Sequence, residues 1–170
     1  MGWDITVEDA VIKNYKGANR IPYAYGIVKF GTRRAAERVV EEYNYTKLEN
    51  SPICLTLVDE ETYRAKKTGA GKLIIKGLDP EIQECQLHEA LSNFGSLVSC
   101  KIPCDFDGDT YHSRGYGQVQ FKNPMDAEQV CIDLKDASIN GLKITIELDN
   151  SVDNEQEIIN LMEKLLKIKG

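Results

Sequence analysis

One strand-and-helix signature occurs twice in this chain of 170 residues, at an offset of 91 positions (116 − 25). The first copy reads Tyr25-Gly26-Ile27-Val28-Lys29-Phe30 and the second reads Tyr116-Gly117-Gln118-Val119-Gln120-Phe121. The same offset relates Ala36-Glu37 to Ala127-Glu128 without a gap. A repeat of this length predicts two copies of one structural unit, each containing a strand followed by an amphipathic helix.

The second copy belongs to a segment whose pattern predicts a complete unit over residues 72–149. Short apolar or alternating runs predict strands at residues 72–78, 97–104, 116–121 and 142–148. One helix is predicted at residues 85–94, with His88 on its surface, and another after Asn123-Pro124, an N-cap followed by proline. The order β-α-β-β-α-β predicts the α+β, ferredoxin-like fold, with a four-stranded sheet open on one face.

The first copy, residues 1–59, can form only part of this unit, because the offset would place the partner of Leu73 before residue 1. The pattern predicts the second strand at residues 5–13, the third at 23–30, a helix capped by Thr32, and the fourth strand at 53–58. Three explanations stay open. The unit is cut, or a partner chain supplies the missing strand and helix, or residues 1–19 fold in another way.

Two further segments flank the complete unit. Residues 60–71 form the linker between the two units. Its last part, Lys66 to Lys72, is basic and rich in small residues, which predicts a segment that is flexible when nothing is bound. Residues 150–170 predict an additional amphipathic helix. Its apolar stripe comprises Ile158, Leu161, Leu165 and Ile168, and Asp153 is its expected cap.

Composition excludes several classes of function. The net charge of −6 argues against strong non-specific binding to phosphate. The five cysteines are scattered without a Cys-x-x-Cys pair, which indicates buried free thiols in a reducing compartment and no metal. No apolar run is long enough for a membrane span. No set of acid, base and nucleophile is recognisable, so we expect neither an enzyme nor a cofactor.

The second strand signature, preceded by Arg114-Gly115, resembles the longer signature strand of the RNA-recognition motif (RRM). The segment from Asn93 to Asp105 and the joint from Lys67 to Asp79 are similar to the second RRM, and to the link before it, of the cytoplasmic poly(A)-binding protein family. The chain thus resembles the first two RRMs of that family or a diverged paralogue. This resemblance implies single-stranded RNA, as messenger RNA or poly(A), as the ligand, and a cytoplasmic location, with shuttling to the nucleus.

Such RNA is expected on the open face of the sheet, where bases stack on the two central strands. Strand alternation and the resemblance together predict the contacts. The expected RNA-binding residues are Tyr25, Ile27, Lys29, Lys66, Lys67, Lys72, Ile74, Lys76, Lys101, Arg114, Tyr116, Gln118 and Gln120.

The sequence departs from the family at two stacking positions, where Ile74 and Gln118 replace aromatic residues. Stacking contributes about 1–3 kcal/mol per base, so RNA binding is expected to be weakened. The alternative function is a protein-interaction module with reduced RNA binding. Its partner would bind through the C-terminal helix or the incomplete first unit, and that helix could also lie across the sheet as a lid.

Overall fold

The computed structural model describes residues 6–15, 23–48, 51–150 and 156–167. The first part contains β1 (Val7–Tyr15), β2 (Tyr23–Phe30), α1 (Arg33–Tyr43), β3 (Lys47–Leu48) and β4 (Ser51–Pro52). Then follow α2 (Glu60–Thr68), β5 (Lys72–Lys76), α3 (Glu84–Ser92), β6 (Leu97–Lys101), β7 (Cys104–Phe106), β8 (Tyr111–Ser113) and β9 (Tyr116–Phe121). The last elements are α4 (Pro124–Asp133), β10 (Ser138–Ile139), β11 (Leu142–Lys143), β12 (Thr145–Leu148) and α5 (Gln156–Leu166).

The complete unit has the predicted α+β fold. Its four-stranded sheet has the order β12-β5-β9-β6, and all neighbouring strands are antiparallel. Three predicted strands are shorter than expected, and the first of them, β5, ends at Lys76 rather than at residue 78. The strand beginning at Leu97 ends at Lys101, before the short β7–β8 ribbon, and the last sheet strand begins at Thr145 after a hairpin turning at Asn140-Gly141.

The core of this unit lies between one face of the sheet and helices α3 and α4. Leu73 and Ile75 of β5 and Phe121 of β9 are completely shielded from solvent, because alternate strand residues point to the same face. Asn123 caps α4 as predicted, with its side-chain oxygen accepting a hydrogen bond from the Met125 backbone N–H.

The described residues of the first copy form the β1–β2 ribbon, the helix α1 and the short β3–β4 ribbon. Strands β1 and β2 pair with each other, and Thr32 caps α1 by accepting from the Ala35 backbone N–H. The predicted fourth strand at residues 53–58 is wrong, since these residues form no strand. In the complete unit the equivalent strand β12 pairs with β5, the first strand. The first copy has no described counterpart of β5, so residues 53–58 have no edge to pair with.

The segment expected to be a flexible linker contains the helix α2. Asp59 caps it by accepting from the Thr62 backbone N–H, and Gly69 ends it in the left-handed conformation. Acidic residues occupy its first turn and Lys66 and Lys67 its last, which complements the helix dipole.

The C-terminal helix was predicted and is present as α5, and it packs on α2. Ile159 and Met162 are buried against Tyr63 of α2, and the Tyr63 hydroxyl donates to Glu163 at 2.8 Å. The predicted stripe included Leu161 and Leu165, which are only half-buried, whereas Ile159 lies at the contact. Ile158 of the stripe is half-buried and packs against the same contact. The stripe residue Ile168 and the expected cap Asp153 lie outside the described residues.

Candidate nucleic-acid interface

The register of the sheet places many of the predicted contacts in rows across its open face. Gln118 on β9 lies opposite Ile74 on β5 and Lys101 on β6. Tyr116 lies opposite Lys76 in the next row. Since directly opposite residues share a face, these five side chains belong to one continuous surface.

Burial shows which face of β9 is open. Gly117, Val119 and Phe121 are buried on the core face, whereas Tyr116 and Gln118, which alternate with Gly117 and Val119, are half-buried. Gly117 faces the helices, and a Cβ atom there would lie 2.8 Å from a methyl carbon of Leu87. A side chain at residue 117 would therefore force the Leu87 side chain to move, which confirms that this position faces the core.

The cations around this surface are held in exposed ion pairs. The Lys76 ammonium lies 3.1 Å from a Glu147 carboxylate oxygen across the sheet, and Arg114 donates through Nε and Nη2 to Asp105 at 2.9 and 2.6 Å. The hydrogen bond from Arg114 lowers the pKa of Asp105 and raises that of Arg114. Exposed pairs contribute about 0–1 kcal/mol, so a phosphate group can displace these carboxylates at small cost.

The far end of the open face is covered by α2. Gln120 is 1% exposed, and its Nε2 donates to the Ala65 carbonyl at 2.6 Å and the Ala70 carbonyl at 2.8 Å. Lys72, opposite Gln120 in the register, is 7% exposed. Both residues were expected to touch RNA. In this conformation the amide of Gln120 instead binds the end of the α2 segment. It is a second donor to the Ala65 carbonyl, which also accepts from the Gly69 backbone N–H, and it donates to the Ala70 carbonyl just after the helix.

Two ion pairs also anchor α2. Lys122, just after β9, contacts the Asp59 carboxylate at the helix start and Glu61 at 3.8 Å. Burial alone would raise the pKa of Asp59, but hydrogen bonds from Lys122 and Thr62 outweigh it and lower the pKa. The predicted contact Lys67 lies near the other end, where its ammonium donates to the Tyr63 hydroxyl at 2.9 Å. Lys66 is half-buried on the same helix.

The predicted contacts of the first copy lie on β2, away from the complete sheet. Ile27 is half-buried, and Lys29 is exposed and lies 2.9 Å from Glu8 of β1. Tyr25 pairs in register with Lys13, and its side chain lies outside the described part of the structure. The ribbon therefore presents these residues separately from Tyr116 and Gln118.

Sequence reasoning missed three features of this region. Ser99 and Glu147 share the open face, in the rows of Gln120 and Ile74, and period-two alternation in the outer strands could have identified them. The covering helix was missed although Asp59, two glutamates, two lysines and Gly69 form an ordinary set of start and stop signals. His88 was expected on a helix surface and is 5% exposed. Its Nδ1 contacts the Tyr45 hydroxyl, and burial lowers its pKa.

Within the described ranges, no group of three or more His, Cys, Asp or Glu side chains could hold a metal ion. Among the same residues, no helix is both long enough and apolar enough to cross a bilayer.

Comparisons with known proteins agree with this geometry. Residues 73–145 match the family model described as RNA recognition motif. The chain is 34% identical over 122 residues to polyadenylate-binding protein 2 of Arabidopsis thaliana. This match covers 72% of this chain and 19% of the relative. The chain is also 32% identical over 132 residues to the protein named "Polyadenylate-binding protein, cytoplasmic and nuclear" of Eremothecium gossypii. This match covers 78% of this chain and 22% of the relative. The chain thus spans about a fifth of the length of these relatives.

Among solved structures, the second RRM domain of yeast poly(U)-binding protein is 25% identical, with a TM-score of 0.41. The match covers 49% of this chain and 98% of that one. The strand order, the open face bearing Tyr116 and the family match lead to one conclusion. Residues 73–145 are an RNA recognition motif similar to those of polyadenylate-binding proteins.

Proposed function

We propose that the chain binds single-stranded messenger RNA or poly(A)-type RNA on the open face of the complete RRM. The observation that carries the proposal is the surface formed by Tyr116, Gln118 and Ile74, which stays partly exposed while its core-facing neighbours are buried. Tyr116 supplies a ring on which one base stacks, and Ile74 and Gln118 support the next base. Lys76, Lys101 and Arg114 lie around this surface and attract phosphate groups.

The proposed division of the chain follows from the repeat. Residues 1–59 form a partial RRM, 60–71 connect it to the complete RRM at 72–149, and 150–170 carry the terminal helix. The tandem arrangement is supported by the matching strands β2 and β9 and by the matching helix caps Thr32 and Asn123. In this proposal the partial unit adds Tyr25, Ile27 and Lys29 to the contacts of the complete one. The cytoplasm and nucleus are the proposed locations.

A titration with fluorescent oligoadenylate and with a mixed-sequence oligomer tests this proposal. Tyr116→Ala should weaken RNA binding about ten-fold, because loss of one stacked base costs about 1–3 kcal/mol. Tyr43→Ala is the matched control, since this tyrosine is 49% exposed on α1 and lies outside the sheet.

Affinity should also fall with added salt, because phosphate contacts release counterions. Equal affinities of wild type and Tyr116→Ala would contradict binding on this face. Absence of RNA binding by the wild type would contradict the function itself.

A further inference from the structure

Two cysteines from different parts of the chain lie side by side where the first copy meets the complete RRM. Sγ of Cys54 and Sγ of Cys85 are 2.9 Å apart and separated by 31 residues in sequence. Cys54 lies in the segment after β4 that forms no strand, and Cys85 lies in the first turn of α3. Both thiols are free, and Cys54 is exposed.

The contact belongs to a defined interface. Cys85 and His88 are three residues apart, so they share one face of α3. Cys54 contacts the first of them and Tyr45 contacts the second. The backbone N–H of Tyr45 also donates to the Ile53 carbonyl, which holds residue 53 next to this face. The two thiols are thus brought together by packing on both sides.

The pair is also distinguishable from the other cysteines. Sγ of Cys100 donates to the Glu84 carbonyl at 3.7 Å, and burial raises its pKa well above the ordinary value. Sγ of Cys104 donates to the Ile102 carbonyl. Cys131 lies on α4, at the edge of the core. Within the described residues, Cys54 and Cys85 are thus the two cysteines whose thiol groups contact each other.

We propose that Cys54 and Cys85 are an oxidation site that forms an intramolecular disulfide with a peroxide such as hydrogen peroxide. A disulfide requires the sulfur atoms to approach to about 2.0 Å, which is about 0.9 Å closer than they lie here. Cys54 lies in a segment without regular structure, so a small shift of this segment supplies that movement. The inference rests on this geometry alone and does not depend on RNA binding.

The reaction balances with one peroxide. A thiolate attacks a peroxide oxygen and breaks the O–O bond, giving a sulfenic acid, and the leaving hydroxide takes up the proton that the thiol lost. The second thiol attacks the sulfenic sulfur, the S–S bond forms, and the hydroxyl group leaves with the thiol proton as water. Two thiols are oxidised, and one peroxide is reduced to two water molecules.

Partial desolvation of its sulfur atom and the hydrogen bond with Cys85 raise the pKa of Cys54, although the residue as a whole is exposed. Either thiol of the pair can make the first attack, and the other then closes the disulfide. The rate of disulfide formation should increase as the pH rises, because the nucleophile in each step is a thiolate.

The disulfide would join the segment leading into α2 directly to α3. A cross-link across 31 residues restricts the unfolded chain, so the oxidised protein should unfold at a higher temperature than the reduced protein. Reduction with dithiothreitol should reverse the shift. The same bond would hold the first copy against the complete RRM.

The test is to treat the whole chain with one equivalent of hydrogen peroxide and map the peptides without reduction. The expected result is loss of two hydrogen atoms from the intact mass and a cross-linked peptide pair containing Cys54 and Cys85. Cys54→Ser should abolish that pair and the thermal shift, whereas Cys131→Ser and Cys100→Ser should retain both.

Three results would overturn the proposal. They are a disulfide that joins other cysteines, a disulfide between two chains, and oxidation of Cys54 or Cys85 beyond the sulfenic acid without a cross-link.

Discussion

The two copies of the repeat contain the same local structure but differ in what they bury. In the complete RRM, Ala127 and Val130 of α4 are 0% exposed. Their counterparts Ala36 and Val39 on α1 are only half-buried, and α1 has no buried residue. The sequence stripe is equivalent in both helices. The difference teaches that an amphipathic stripe forms a core only where a strand and a second helix complete the unit, as β5 and α3 do here.

The largest difference between the copies should appear at their matched phenylalanines. Phe121 is 0% exposed in the core, and Phe30 is its half-buried equivalent on β2. Phe121→Ala should lower the free energy of unfolding by about 3–5 kcal/mol, because it removes a fully buried ring and leaves a cavity. Phe30→Ala should cost about 1 kcal/mol or less. Urea unfolding followed by circular dichroism measures both, and equal losses would show that the first copy has a comparable core.

The next largest effect on stability should distinguish the two glutamines of β9, Gln118 and Gln120. Gln120→Ala should reduce the free energy of unfolding by about 1–3 kcal/mol, because two hydrogen bonds to the α2 segment are lost, although the Ala65 carbonyl keeps the Gly69 N–H as a donor. Gln118→Ala, two residues away on the half-buried part of the same face, should change it by less than about 0.5 kcal/mol.

The two variants should rank the other way in RNA titrations: Gln118→Ala should weaken RNA affinity more than Gln120→Ala does. The same stability for both glutamine variants would contradict the assignment of Gln120 as an anchor for α2. This pair thus distinguishes the open part of the sheet from the covered part.

A smaller effect is expected at the matched helix caps. Asn123→Ala should lower the free energy of unfolding of the complete RRM by about 1 kcal/mol, because α4 loses the acceptor for a backbone N–H. Thr32→Ala removes the equivalent acceptor from α1, whose contacts bury little. It should increase local hydrogen exchange in α1 and leave the main unfolding transition unchanged. A shift of that transition by Thr32→Ala would show that both copies unfold together.

The smallest effect concerns the contact between the copies, where His88 is buried beneath Tyr45. Burial lowers the pKa of His88, so the folded protein binds this proton less readily than the unfolded chain. Stability is therefore complete above the ordinary histidine pKa of about 6.5 and falls as the pH decreases from there through the lower, folded value. His88→Gln should reduce the slope of stability against pH in this range. An unchanged slope in unfolding experiments at several pH values would contradict the predicted role of His88.

Much of the complete RRM could be predicted, because its signals are local. Strand β9 was predicted to the residue, and the cap at Asn123 and the turn at Asn140-Gly141 lie where the sequence placed them. The alternation of β9 also identified Tyr116 and Gln118 as open-face residues. The prediction of a strand at 53–58 was wrong because a strand needs a neighbouring edge, and the sequence pattern does not show whether that edge exists.

The candidate site was predicted in part for the same reason. Strand period assigns a residue to a face, but it does not show what else covers that face. Gln120 has the same orientation as Gln118, yet the end of α2 lies over it. The capping signals of α2 are readable from Asp59 to Gly69, whereas its position against β9 depends on residues that are distant in sequence.

The sequence by itself determined the repeat, the order of the elements in the complete RRM, the helix caps and the alternation that makes one sheet face apolar. These properties depend on residues a few positions apart and on intrinsic backbone preferences. Only the tertiary structure decided that α2 covers Gln120, that Lys72 opposite it is buried, that Tyr45 contacts the buried His88, and that Cys54 meets Cys85. Those contacts join residues far apart in sequence, and their energies depend on burial that exists only after the elements have packed.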